Sequence, residues 1–165
     1  NNRKYSVTKK KEIEPKVQAS FWNGDPDIDA IARIIFKPNC KFKNKKFPFF
    51  SNKISPFNSQ NTFISRKILI DYFLFPGIGR MEDIWASYYV SAKKHKVIYD
   101  EPTVFQLRNK HDLLRDFDDE YLGYKNNMKL IYEILKNPDR IHNFLPKNSS
   151  KAFDEWKRII SNYNN

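Results

Sequence analysis

Turn punctuation constrains this chain more than any other feature. Asn23-Gly24-Asp25-Pro26, Lys37-Pro38, Pro76-Gly77-Ile78-Gly79 and Asp100-Glu101-Pro102 cut the first two-thirds into short segments whose apolar periods alternate between two and 3.6. Residues 16–22 alternate as a strand does. Ile28, Ile31, Ala32 and Ile35 then fall at i, i+3, i+4 and i+7, which predicts a helix with one buried stripe. Asp25 is placed to cap it, with Pro26 at its first position, and Lys37-Pro38 ends it. Ser65 can cap a helix over residues 66–73. A second helix opens near Arg80-Met81-Glu82-Asp83 and runs to about Lys94, burying Ile84, Trp85, Tyr88 and Ala92. Residues 96–99 and 103–107 read as two strands parted by Pro102. From Lys110 onward the pattern is helical, through Leu113, Leu114, Phe117 and Tyr121, then Met128, Ile131, Tyr132 and Leu135, then Phe153, Trp156, Ile159 and Ile160. The expected class is α/β with a helical C-terminal tail. Residues 1–15 form a loose polar lead-in, 16–126 the α/β portion and 127–165 the helical extension.

Composition supports a packed domain. Hydrophobic residues make up 40% of the 165 and aromatic residues 16%, enough large rings to argue against disorder. No apolar run approaches the roughly 20 residues of a membrane-spanning helix, and no secretory signal pattern follows the polar N-terminus, so a cytoplasmic location is favoured. Cys40 is the sole cysteine, which excludes an internal disulfide and a cysteine zinc site; it reads as a buried small residue before an incidental surface thiol. The net charge of +11 raises a polyanion partner. The basic run at residues 41–46, interleaved with Phe42, and Lys9 to Lys11 would be its contacts. Yet the excess is lysine rather than arginine, in company with Asn, Ile, Phe and Tyr, which is the mark of AT-rich codons. A basic nucleic-acid-binding module is therefore the alternative reading, not the first.

Three polar clusters stand where strands or loops meet helices. In Asp25-Pro26-Asp27-Ile28-Asp29, helix capping explains one carboxylate well and three poorly. Its spacing suggests a calcium loop, but the sixth-position glycine and twelfth-position glutamate are missing. Arg80-Met81-Glu82-Asp83-Ile84-Trp85 opens a helix after a glycine-containing turn that lets backbone approach a ligand closely, and Arg80 can clamp a phosphate or pair with acids. Gln106-Leu107-Arg108-Asn109-Lys110-His111-Asp112 follows a strand and holds the one histidine set beside such a cluster.

In this order the clusters resemble a known family. Residues 21–30 (FWNGDPDIDA), 55–62 (SPFNSQNT), 81–86 (MEDIWA) and 104–120 (VFQLRNKHDLLRDFDDE) look like four blocks of the STELLO-type glycosyltransferases, and more distantly of the reversibly glycosylated polypeptides, or UDP-arabinopyranose mutases. The similarity spans about Val17 to Asn126. It implies a GT-A-like fold, a UDP-linked sugar donor, a glycan or other hydroxyl acceptor, and a divalent cation, manganese or magnesium. It also admits a Golgi-associated location. Carried over, Glu82 and Asp83 become the catalytic acids and His111 the candidate metal ligand, with Gln106 competing. Asp25, Asp27, Asn58, Gln60 and Asn61 line the sugar pocket, and Arg80, Trp85, Arg108 and Asn109 complete the expected substrate contacts. The relatives keep their nucleotide-binding strands and acid metal motif upstream of the segment matching Trp22. The expectation is therefore the C-terminal, acceptor-side half of such a domain, completed by a missing N-terminal half in the same reading frame or another chain. A catalytically silent scaffold of the same fold is the other outcome.

Overall fold

The computed structural model describes residues 15–43, 47–50, 53–110 and 112–163. Its elements are β1 (Val17–Gly24), α1 (Ala30–Phe36), β2 (Phe49–Phe50), β3 (Thr62–Ile64), α2 (Glu82–Ala92), β4 (Val97–Gln106), α3 (Leu113–Lys136) and α4 (Lys147–Tyr163). Short 3₁₀ turns occupy Arg66–Asp71, Gly79–Met81 and Pro138–Asn143. The class is mixed α/β. Four strands lie in the order β2-β4-β1-β3, with β1 and β4 parallel and the outer strands antiparallel to their neighbours.

Residues 97–106 form one strand, not the two expected. Opposite Ser20 to Trp22 of β1, β4 advances from Asp100 to Val104, so its ladder skips a stretch that contains Pro102. The proline's missing N–H falls where no ladder bond is needed, which is how a strand tolerates it.

Two apolar cores meet at α2. Val17, Ile68, Val97 and Val90 pack on the sheet side. Trp85 and Tyr89, from the same helix, pack with Leu130, Ile134, Ile141 and Phe153 on the helical side. A helix buried all round is apolar all round, and Trp85 to Val90 are all buried. The indole N–H of Trp156 on α4 donates to the carbonyl of Leu69 at 2.7 Å, fastening the C-terminal helix to the turn after β3. Helix α3 runs without a break through residues 126 and 127, and its C-terminal half supplies the helical core. Among the described residues no helix is long and apolar enough to cross a membrane.

Two helices turn differently from their apolar pattern. α1 begins at Ala30 and is capped by Asp29, whose carboxylate accepts from Ala32 N at 3.0 Å; Asp25 is not the cap and Pro26 is not helical. Ala30 is its buried residue, whereas Ile31 and Ile35, expected inside, are exposed with Ile34 and Phe36. On α3 the buried residues are Glu120, Gly123, Leu130 and Ile134, while Leu114, Tyr121, Met128, Tyr132 and Leu135 face solvent. A buried face holding a glutamate and a glycine is invisible to a hydrophobic count. The segment after Ser65 is a six-residue 3₁₀ turn, and Ser65 makes no side-chain cap. Cys40 is only half-buried and meets Gly24 through backbone hydrogen bonds.

Candidate functional site

The carboxyl ends of the two parallel strands define the site. β1 leads into the loop carrying Asp25, Asp27 and Asp29, and β4 leads into the loop carrying Arg108. Gly24 adopts φ +93°, and a side chain there would sit 2.3 Å from the carbonyl oxygen of Gln106, so the two strand ends close on one another only with glycine. Asp25 N then donates to the Gln106 carbonyl at 3.0 Å. In open α/β sheets the crevice outside such strand ends is where ligands bind.

Asp27 is the hub. Arg108 Nη1 reaches its Oδ1 at 2.6 Å and Arg80 Nη2 reaches the same oxygen at 3.4 Å. Arg80 also contacts Glu120 Oε1 at 2.9 Å and Asp116 Oδ1 at 3.4 Å. Burial works against the charge of Arg80, but Asp116, Asp27 and Glu120 outweigh it and hold the guanidinium above its usual pKa. Asp25 is bound at 2.6 Å by Arg33, whose other nitrogen donates to the Pro26 carbonyl. The three carboxylates are thus a cap (Asp29), a partner for Arg33 (Asp25) and a partner for two arginines (Asp27), which settles what capping alone could not explain.

Glu120 and Tyr124 join this network without having been expected there. Glu120 Oε2 accepts from Ala30 N at 2.7 Å, so it anchors the first turn of α1. The Tyr124 hydroxyl stands 2.8 Å from Glu120 Oε2 and 2.9 Å from Asp29 Oδ1. Burial, then those two carboxylates, push its pKa well above the ordinary tyrosine value. Glu120 closes the 104–120 block and its acid run at residues 116–120, and nothing in that run tells the buried acid from the exposed ones.

Asp27 and Asp83 share two adjoining hollows. One, of about 380 Å³, is lined by Asp27, Asp29, Arg80, Asp83, Glu120 and Tyr124 among others. The second, of about 230 Å³, adds Gln60, Glu82 and Arg108 to Asp27, Arg80 and Asp83. A third, of about 180 Å³, runs from Asp27 past Asn58 to the apolar wall of Trp22 and Phe57. The Trp22 indole N–H is buried without a partner among the described residues. Asp83 is oriented by Ser59, whose N–H and hydroxyl lie 2.8 and 3.2 Å from Oδ2; among the described residues its Oδ1 accepts nothing. The arrangement presents carboxylate oxygens, an amide and guanidinium groups around a space the size of a sugar ring or two.

Other expected residues stand elsewhere. Trp85 is fully buried and donates to Asn127 Oδ1 at 2.7 Å, so it belongs to the core and lines none of these three hollows. Asn61 ties strands together: its amide nitrogen donates to the Phe21 carbonyl and its oxygen accepts from Thr103, both at 2.9 Å. Asn109 is exposed beyond β4, and Gln106 meets Asp25 through its backbone. The close approach allowed by the Pro76–Gly79 turn is to α3: a side chain on Gly79, at φ +62°, would lie 2.2 Å from the Asp119 carbonyl oxygen. His111, Lys9 to Lys11, Lys45 and Lys46 lie outside the described residues. Among the described residues no three histidine, cysteine or carboxylate groups gather as metal ligands, and Asp25 and Asp27 have arginines on their oxygens. The divalent cation implied by the resemblance therefore has no fitting cluster there.

Compared with known proteins, the chain matches no protein-family model and no curated protein sequence.

Proposed function

We propose that this chain is the acceptor-side portion of a glycosyltransferase that passes a sugar from a nucleotide-linked donor to a hydroxyl group. One observation carries the reading. In a chain of net charge +11, the hollow of about 380 Å³ at the carboxyl ends of β1 and β4 is lined by four acids, Asp27, Asp29, Asp83 and Glu120, against a single arginine, Arg80. Carboxylates hydrogen-bond neighbouring sugar hydroxyls, whereas a diphosphate would be repelled, so this side suits the sugar and acceptor rather than the leaving group.

Asp83 is the residue at which chemistry would occur. Ser59 fixes one carboxylate oxygen and leaves the other to accept an acceptor hydroxyl, orienting it and drawing its proton. The hydroxyl oxygen bonds to the anomeric carbon as the bond from that carbon to the nucleotide's phosphate oxygen breaks, the electron pair leaving with the nucleotide. Asp27, pinned by Arg80 and Arg108, positions the sugar and does not move a proton. Glu82 lies one residue away on the rim of the smaller hollow.

The test is saturation-transfer NMR and calorimetry of the chain with UDP-glucose, UDP-galactose, UDP-arabinose and the free sugars. Sugar protons are expected to receive saturation, and Asp83→Asn and Asp27→Asn to weaken binding about tenfold. In the complete enzyme Asp83→Asn should cut transfer about 100-fold or more. Sugars and nucleotide-sugars that do not bind the wild type, or an Asp83→Asn variant that binds and transfers normally, would sink the reading.

A further inference from the structure

The apolar residues of α3 form two sets. The inner set joins the helical core. The outer set is Leu114, Tyr121, Met128 and Leu135, at successive intervals of seven, with Tyr132 beside them; these are 75%, 57%, 82%, 49% and 61% exposed. At 100° per residue Leu114 and Tyr132 point the same way, and Tyr121 and Met128 lie within about 40° of them. Single exposed apolar residues are ordinary, but a row in sevens along a 24-residue helix has the spacing of one line of a helix-pair seam.

The charges beside the seam select the occupant. At 100° per residue Lys125, Lys136 and Lys129 flank it within about 60° of Leu114, against Asp118 alone on that side, while Arg115 and Glu133 lie further round and offset one another. Lys136 also lies over the Tyr132 ring at 3.6 Å, extending the seam with its own stem. A second copy would set these cations against their equals, in a chain already carrying +11. We propose that the outer face of α3 is a docking surface for an amphipathic helix of another protein, one whose apolar stripe is flanked by Glu or Asp. The proposal uses other residues than the sugar site, to which α3 contributes Glu120, Tyr124 and Asn127.

The probe is a fluorescein-labelled 21-residue peptide with leucines at the heptad seam and flanking glutamates, beside a twin carrying lysines instead. Anisotropy titration of the full chain is expected to give saturable binding of the acidic peptide only. Met128→Glu and Leu114→Glu should each weaken it about tenfold or more. Both positions are solvent-exposed and glutamate is a good helix former, so the fold survives, as a thermal melt of each variant will check. Asn148→Glu on α4 makes the same charge change and should shift affinity less than about twofold. The proposal is overturned by an absence of saturable binding, by equal binding of the lysine twin, or by an equal loss in Asn148→Glu. Light scattering that finds a dimer dispersed by Met128→Glu gives the face to a second copy and overturns it as well.

Discussion

Glu120 is 3% exposed and answers three groups at once: the Arg80 guanidinium, the Ala30 N–H and the Tyr124 hydroxyl. Removing a buried carboxylate leaves its donors unpaired, and that penalty exceeds the net worth of the bonds themselves. Glu120→Ala should therefore cost about 2–4 kcal/mol, seen as a drop of about 5–15 °C in Tm for a domain of this size. Glu120→Gln, which keeps one acceptor oxygen, should lose less. If the alanine variant melts with the wild type, the network does not hold α1 to α3. Trp85 makes the opposite case, a residue in a candidate block whose role is packing. Trp85→Phe should lower stability by about 1–3 kcal/mol, since it opens a cavity and strands Asn127 Oδ1. Sugar binding by the folded protein should weaken well short of the roughly tenfold loss expected of Asp83→Asn, since the change reaches the hollow only through Asn127. Calorimetry below the melting range will show this.

At the level of elements, legibility followed which face carried the apolar signal. β1 was readable because Val17 and Ala19, two apart, are buried with Gln18 between them only partly so. α2 was readable because its run from Trp85 to Val90 is buried throughout, so no stripe could be misassigned. α3 was readable as a helix but not in its buried face, because its inward face includes Glu120, Gly123 and Asn127, while its outward face carries Leu114, Tyr121 and Met128. Pro102 misled for a different reason: a proline ends a strand only where its ladder bond is required, and the irregular register with β1 removes that requirement. Gly123 has its own explanation. A side chain there would lie 2.2 Å from the Met81 sulfur, so α3 approaches the turn before α2 at its glycine. Of the candidate site, the acids themselves were legible as clusters. That Asp27 and Asp83, 56 residues apart in the chain, face one hollow depends on β1 and β4 lying side by side, a long-range pairing that no local pattern encodes. Which arginine meets which acid was equally beyond the sequence.

Across the whole molecule, three tyrosines tie stability to alkaline pH. Burial raises the pKa of Tyr72, with Asp83 adding to it, and that of Tyr89, with Asp71 and Asp139 adding. Tyr124 is raised too but is substantially exposed and contributes less. In the unfolded chain these hydroxyls ionise near about pH 10. Between that value and their higher folded-state values the native protein holds protons that the unfolded chain has released, so stability is fully present below about pH 10 and falls above it. With two protons retained, the limiting slope is about 2.7 kcal/mol per pH unit. Urea unfolding at pH 8, 9, 10 and 11 should give a plateau followed by this decline. Tyr72→Phe separates the cause from general alkaline damage. Among the described residues the buried Tyr72 hydroxyl has no hydrogen-bond partner, so its removal should leave stability at pH 8 unchanged or slightly improved. Above about pH 10 the same variant should lose stability less steeply, by up to about 1.4 kcal/mol per pH unit. An identical slope in wild type and variant would mean that Tyr72 titrates alike in both states, and that the alkaline limit of this fold is set by other groups.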